Sequence, residues 1–156
     1  MAAAELTFEP FDPTGLAEWL VHLRTRYVEE RVAAGDSAPE AEANADHSLA
    51  RLLPGGVPSP EQHIGRVVSG GEPVGTLWIG PYGDDPRRWW VWDVAVDEGQ
   101  RGKGYGQRAM LLAEALARRG GAATIGLNVF ASNPVAHHLY TSLGYQATSV
   151  QMRKDL

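Results

Sequence analysis

The run Gln100-Arg101-Gly102-Lys103-Gly104-Tyr105-Gly106 places glycines at alternate positions with two cations among them. It lies between an apolar stretch, Trp89 to Val96, and a pattern in which Tyr105, Ala109, Leu112 and Leu116 recur at steps of three and four. A strand-to-helix turn with little Cβ bulk lets backbone N–H groups approach an anion, and the positive end of the following helix dipole adds to the attraction. Arg101, Lys103 and Arg108 add positive charge. The context predicts an anion-binding turn, the alternative being a purely structural one. A P-loop is excluded because Lys103 is followed by Gly104 rather than Ser or Thr. A dinucleotide fingerprint is disfavoured because its third glycine position holds Gln107 and no acid stands near Asn128 or Phe130.

A second constellation runs from Asn133 to Tyr145. Asn133-Pro134 is a helix start, and Gly144 a helix end. Asn133 and Tyr140 are seven residues apart, about 10 Å along one helical face, while Ala136, Leu139 and Leu143 form the apolar side. Asp93 is the exception in the apolar stretch. A carboxylate there is costly unless paired, and burial would raise its pKa; a salt bridge to an arginine, or exposure at a strand irregularity, competes with a chemical role.

Val94-Ala95-Val96-Asp97 followed by Arg101-Gly102-Lys103-Gly104-Tyr105-Gly106 resembles the Arg/Gln-x-x-Gly-x-Gly/Ala motif of the GNAT superfamily of acyl-CoA-dependent N-acyltransferases. Asn133, Ala136, Leu139, Tyr140, Leu143, Gly144 and Tyr145 resemble that family's next signature, Asn-x-x-Ala-x-x-Leu-Tyr-x-x-x-Gly-Phe/Tyr. The resemblance covers about residues 72–152. It implies that the strand ending at Val96 splays from the strand at Thr124 to Phe130, that the pantetheine arm of acetyl-CoA lies in the gap against Val94, Ala95 and Val96, and that the diphosphate rests on residues 101–106.

Acylation of an amine by a thioester needs a neutral amine, a stabilised oxyanion and a proton for the departing thiolate. Tyr140 is the candidate proton donor, since a phenol remains protonated at neutral pH. Asn133 is a candidate for positioning the cofactor arm, with helix capping as its simpler role. Asp93 is the leading candidate base, with a water chain as the alternative. Activity as an N-acetyltransferase is the implied function; an acyl-CoA-binding module without catalysis is the alternative.

These residues must be carried by a framework that the rest of the sequence spells out. A strand is expected near residues 5–9. Asp12-Pro13 then starts a helix with Leu16, Trp19, Leu20, Leu23, Tyr27 and Val32 on one stripe, ended by Gly35, and Ser37 with Glu40 starts a second with Ala41, Ala45, Leu49 and Leu52. His63 to Ser69 and Pro73 to Ile79 read as a hairpin about Gly70-Gly71, followed by a loop from Pro81 to Pro86. Further strands are expected at Trp89 to Val96, Thr124 to Phe130 and Tyr145 to Met152. The fold class is α/β: one domain over residues 1–156 with a mixed, mostly antiparallel sheet flanked by helices, in which residues 1–60 form the acceptor side and 61–156 the acyl-CoA core.

At 156 residues and 44% hydrophobic content the chain is long enough for one ordinary core. The absence of cysteine excludes a covalent enzyme intermediate on sulfur, so thioester chemistry would be direct transfer. The net charge of −5 is uneven: residues 1–46 hold ten acids and three bases, the remainder nine acids and eleven bases. The acidic part suits a small cationic amine or a peptide N-terminus and argues against nucleic acid. The five histidines show no metal-ligand spacing, so no metal is expected. No signal peptide or membrane span is read, which predicts a cytoplasmic protein without a membrane partner. The aromatic residues at 78, 82, 89, 90 and 92 could line a substrate wall or pack a core. They, or the last strand, could also support a homodimer.

Overall fold

The computed structural model describes residues 4–156. Its elements are β1 (Leu6–Pro10), α1 (Pro13–Ala33), α2 (Ala38–Leu52), β2 (His63–Ser69), β3 (Glu72–Tyr82), β4 (Asp85–Val96), α3 (Tyr105–Arg119), β5 (Thr124–Leu127) and α4 (Pro134–Ser142). The helix starts follow from local chemistry. Asp12 accepts the Gly15 N–H at 2.7 Å, and Ser37 and Glu40 form a reciprocal capping box.

The five strands lie in sequence order, β1 to β4 antiparallel and β5 parallel to β4. This is an α/β fold with a mostly antiparallel sheet covered on both faces. On one face Val67, Leu77, Ile79, Trp89 and Val91 meet Ala109, Met110 and Ala113 of α3. On the other, Trp19 and Leu23 of α1 close over Ile64 and Trp78. No helix among the described residues is long and apolar enough to cross a membrane.

The structure departs from the sequence reading at three places. The expected loop from Pro81 to Pro86 is mostly strand, because β3 and β4 continue to a tight turn in which Tyr82 pairs with Asp85 and Gly83 takes a positive φ. The strand expected to reach Phe130 stops at Leu127. The strand expected over Tyr145 to Met152 is absent. Tyr145 alone in that stretch packs against the core, while Val150 and Met152 are exposed, so no buried side-chain face holds the segment in a ladder. At the end of α1, Val32 is also exposed although it continues the apolar stripe.

The end of α3 lies against the largest buried side chain. A Cβ on Gly120 would fall on the six-membered ring of Trp89, which is itself fixed by an indole N–H donated to the Pro86 carbonyl at 3.1 Å. Gly120 has an ordinary φ of −77°, so space rather than backbone conformation demands glycine. Gly120→Ala is expected to destabilise the fold by about 1–3 kcal/mol through overpacking. Urea denaturation checks this, and a change within about 0.5 kcal/mol, the range of a surface substitution, would contradict it.

Candidate active site

The site begins where two strands part. β4 pairs with β5 only from Arg88↔Thr124 to Val91↔Leu127. From Asp93 onward β4 keeps its β3 partner, up to Val96↔Gly75, and beyond Val91 it has no strand on its β5 side. Val94, Ala95 and Val96 therefore lie along an open edge of the kind that takes an extended ligand, its Val96 carbonyl met by the Arg101 side chain.

A bulge lies at the parting. Trp78 pairs with Asp93 and Ile79 with Val91, so Trp92 is the extra residue. Its effect is to turn two consecutive side chains to the face of α1: Trp92 packs in the Trp78 cluster, and Asp93 accepts a hydrogen bond from Arg26 Nη2 at 2.7 Å. Asp93 is thus the salt-bridged carboxylate that the sequence reading left open, and the strand irregularity is present as well. Its side chain is 14% exposed, and Oδ2 has no hydrogen-bond partner; nor has Trp92 Nε1. Leaving such a group unpaired costs about 1–3 kcal/mol.

Burial raises the Asp93 pKa, and Arg26 opposes the rise. Glu30, one turn beyond Arg26 on α1, is raised by desolvation and then by the Asp93 carboxylate, with Arg26 again opposing. Tyr140 on α4 is pushed above its usual 10.0, first by burial and then by the Asp93 and Glu30 carboxylates. Asp93, Glu30 and Tyr140 therefore share one electrostatic environment, although they come from three elements. Tyr140 stays a phenol at neutral pH and stands edge-on to Tyr145, ring centroids 6.0 Å apart.

At the end of the open edge a 3-10 turn, Glu98–Gln100, leads into the glycine run. Gly102 and Gly104 have φ of 76° and 79°, and Gly104 caps α3. The first helical acceptor is the Gly104 carbonyl, which takes the Arg108 N–H at 3.3 Å, so N–H groups ahead of Arg108 are left without an intrahelical partner. Free N–H groups at a helix start are the kind of donors that an anion takes. Arg101 is exposed and donates through Nε to the Val96 carbonyl at 3.4 Å; Lys103 donates to Gly99 and Gln100. Tyr105 faces inward, its hydroxyl 3.5 Å from Ser69 Oγ. Gly106 allows a close approach: a Cβ there would stand 3.2 Å from Leu139 of α4.

Asn133 caps α4, its Oδ1 accepting the Ala136 N–H at 3.1 Å. The structure thus brings the edge, the glycine turn, Tyr140 and Asp93 to one end of β4. Arg26 and Glu30 were missed by the sequence reading. Their only sequence signal is that 19, 23, 26 and 30 form one helical stripe on which Trp19 and Leu23 are buried.

Known proteins share this arrangement. The model of the acetyltransferase (GNAT) family matches residues 17–145. The uncharacterized N-acetyltransferase YycN of Bacillus subtilis (strain 168) is 33% identical over 150 residues, covering 94% of this chain and 96% of its own. The crystal structure of YycN superposes with a TM-score of 0.87 at 32% identity over 97% of this chain and 98% of that one. A more distant likeness in fold is to AAC(6')-Iy in complex with the bisubstrate analogue CoA-S-monomethyl-acetylneamine, with a TM-score of 0.57 and 12% identity over 98% and 100% of the two chains. Family match, close relative and solved fold agree: the chain belongs to the acetyltransferase (GNAT) family.

Proposed function

We propose that this acetyltransferase moves acetyl from acetyl-CoA to a primary amine, a small cationic amine or a peptide N-terminus, by direct attack in a ternary complex. The observation that carries the reading is the open β4 edge from Trp92 to Val96, with an anion cradle at one end and a buried carboxylate and phenol beside it. Residues 61–156 supply the acyl-CoA side, and residues 1–60, through α1, the acceptor side.

Acetyl-CoA supplies the activated acyl group as a thioester. Backbone groups of Val94 to Val96 hold its extended arm, the N–H groups of residues 101–106 its diphosphate, and Arg101 and Lys103 add charge. Asn133 fixes the start of α4 and, through it, the height of Tyr140. The attacking amine nitrogen loses its proton to Asp93, directly or through water. As the C–N bond forms and the C–S bond breaks, Tyr140 gives its hydroxyl proton to the leaving sulfur and regains one from solvent, to which Asp93 returns the proton taken from nitrogen.

Three measurements bear on this. Calorimetric titration with acetyl-CoA is expected to show micromolar binding, about −8 kcal/mol, weakened markedly in Arg101→Glu; no binding at high concentration would overturn the reading. Tyr140→Phe is expected to lower kcat by roughly 10²–10⁴ with acetyl-CoA affinity nearly unchanged; unchanged turnover would remove Tyr140 from the acid role. The third is a pH profile of kcat/KM. A base must be ionised to act, and burial raises Asp93, so activity should fall with acid at a pH above the ordinary carboxylate range. Arg26 favours the ionised form, so Arg26→Met should move that limb to still higher pH with the same acceptor. A limb that stays put in Arg26→Met would argue against Asp93.

A further inference from the structure

Trp92 Nε1 and Asp93 Oδ2 are both closed to solvent and make no hydrogen bond. The indole nitrogen can only donate, and the carboxylate can only accept. They belong to consecutive residues that the bulge turns toward the same helix, so a single partner that serves both carries an acceptor for the indole N–H and a donor for the carboxylate. Enclosing them unpaired is costly, and a small opening that admits such a partner relieves the cost.

Resting on the N-acetyltransferase reading, the geometry points to an acceptor whose reactive primary amine stands next to a carbonyl, as in an amino-acid amide or a peptide end. The amine donates to Asp93 Oδ2, and the carbonyl oxygen accepts from Trp92 Nε1. Its side chain finds an aromatic shelf. Tyr82 stacks on Trp90 with centroids 4.7 Å apart and lies 5.6 Å from Trp92, and the Arg88 guanidinium covers Tyr82 at 4.4 Å. Trp90 and Tyr82 are only partly buried and lie outside the cluster that α1 and α2 enclose, so this shelf is open to an apolar or aromatic group.

Charge excludes the free amino acid. Arg26 is already engaged by Asp93, and Glu30 forms no salt bridge among the described residues. A substrate carboxylate in place of the amide would meet two acids and no free cation on this helix face, whereas a neutral carbonyl does not.

The test compares kcat/KM, each referred to the unprotonated amine, for L-phenylalaninamide, phenethylamine and L-phenylalanine at saturating acetyl-CoA. The amide is expected to exceed each of the others by at least about tenfold, because a buried donor is left unpaired without the carbonyl. Trp92→Phe keeps a ring but removes the N–H, and is expected to bring the ratio of amide to phenethylamine toward one. A structural water held by Trp92 and Asp93 would leave that ratio near one in the native protein or unmoved in the variant. Either result overturns the assignment. If Trp92→Phe does not fold, the native substrate ratios decide alone. The tripeptide amide Phe-Gly-Gly-NH2 separates a peptide end from a small amide as the source of the same chemistry. Failure of the underlying reading looks different: if none of these amines releases CoA the acceptor assignment falls, and only absence of acetyl-CoA binding, or of CoA release across a broad panel of primary amines, overturns the N-acetyltransferase reading as well.

Discussion

The parting of β4 from β5 is the constraint on which the site depends. β5 ends at Leu127, opposite Val91, and β4 runs five residues further without a partner on that side. An unpaired edge within a fold invites another extended chain. The bulge at Trp92 sits where pairing is lost, and a bulge increases local twist and re-aims side chains. One backbone irregularity thus opens the edge and presents Asp93 to α1. Were every residue paired in regular register, Trp92 would stand opposite Trp78 and Asp93 opposite Leu77, on the face that meets α3.

Charge is arranged sparingly around this opening. One guanidinium, Arg26, serves Asp93 at 2.7 Å and moderates Glu30 from one helical turn away. Two carboxylates with one cation leave the environment negative, which holds Tyr140 protonated and suits a cationic or amine-bearing partner. The cradle at the other end of the open edge is positive, with N–H groups, Arg101 and Lys103. The sequence already divides its charge in this sense, acids ahead of residue 47 and bases after it.

Features set by neighbouring residues were legible from sequence: the caps of α1 and α2, the hairpin at Gly70-Gly71, the glycine turn and the start of α4. Those set by register between distant segments were not. The bulge exists only in the pairing of β3 with β4, and the Arg26–Asp93 bond joins residues 67 positions apart. Asp93 stood out as an acid in an apolar run, but nothing in that run named its partner. The strand expected at Tyr145 to Met152 failed for a related reason, since a β-rich composition forms no ladder without a face to bury.

The three glycines of the turn show how a motif divides its labour. Gly102 and Gly104 are required by backbone conformation, both lying in the left-handed region. Gly106 is helical, and its need is steric: Leu139 would be 3.2 Å from an added Cβ. This contact joins the first turn of α3 to α4 one residue before Tyr140. Because Gly106 is the last residue of the glycine run, that run and the phenol are joined across one close helix contact rather than through the length of the chain. A Cβ at 106 would require the Leu139 side chain, next to Tyr140 on α4, to give by a few tenths of an ångström. The last glycine of the motif thus serves the packing of α3 on α4 beside Tyr140.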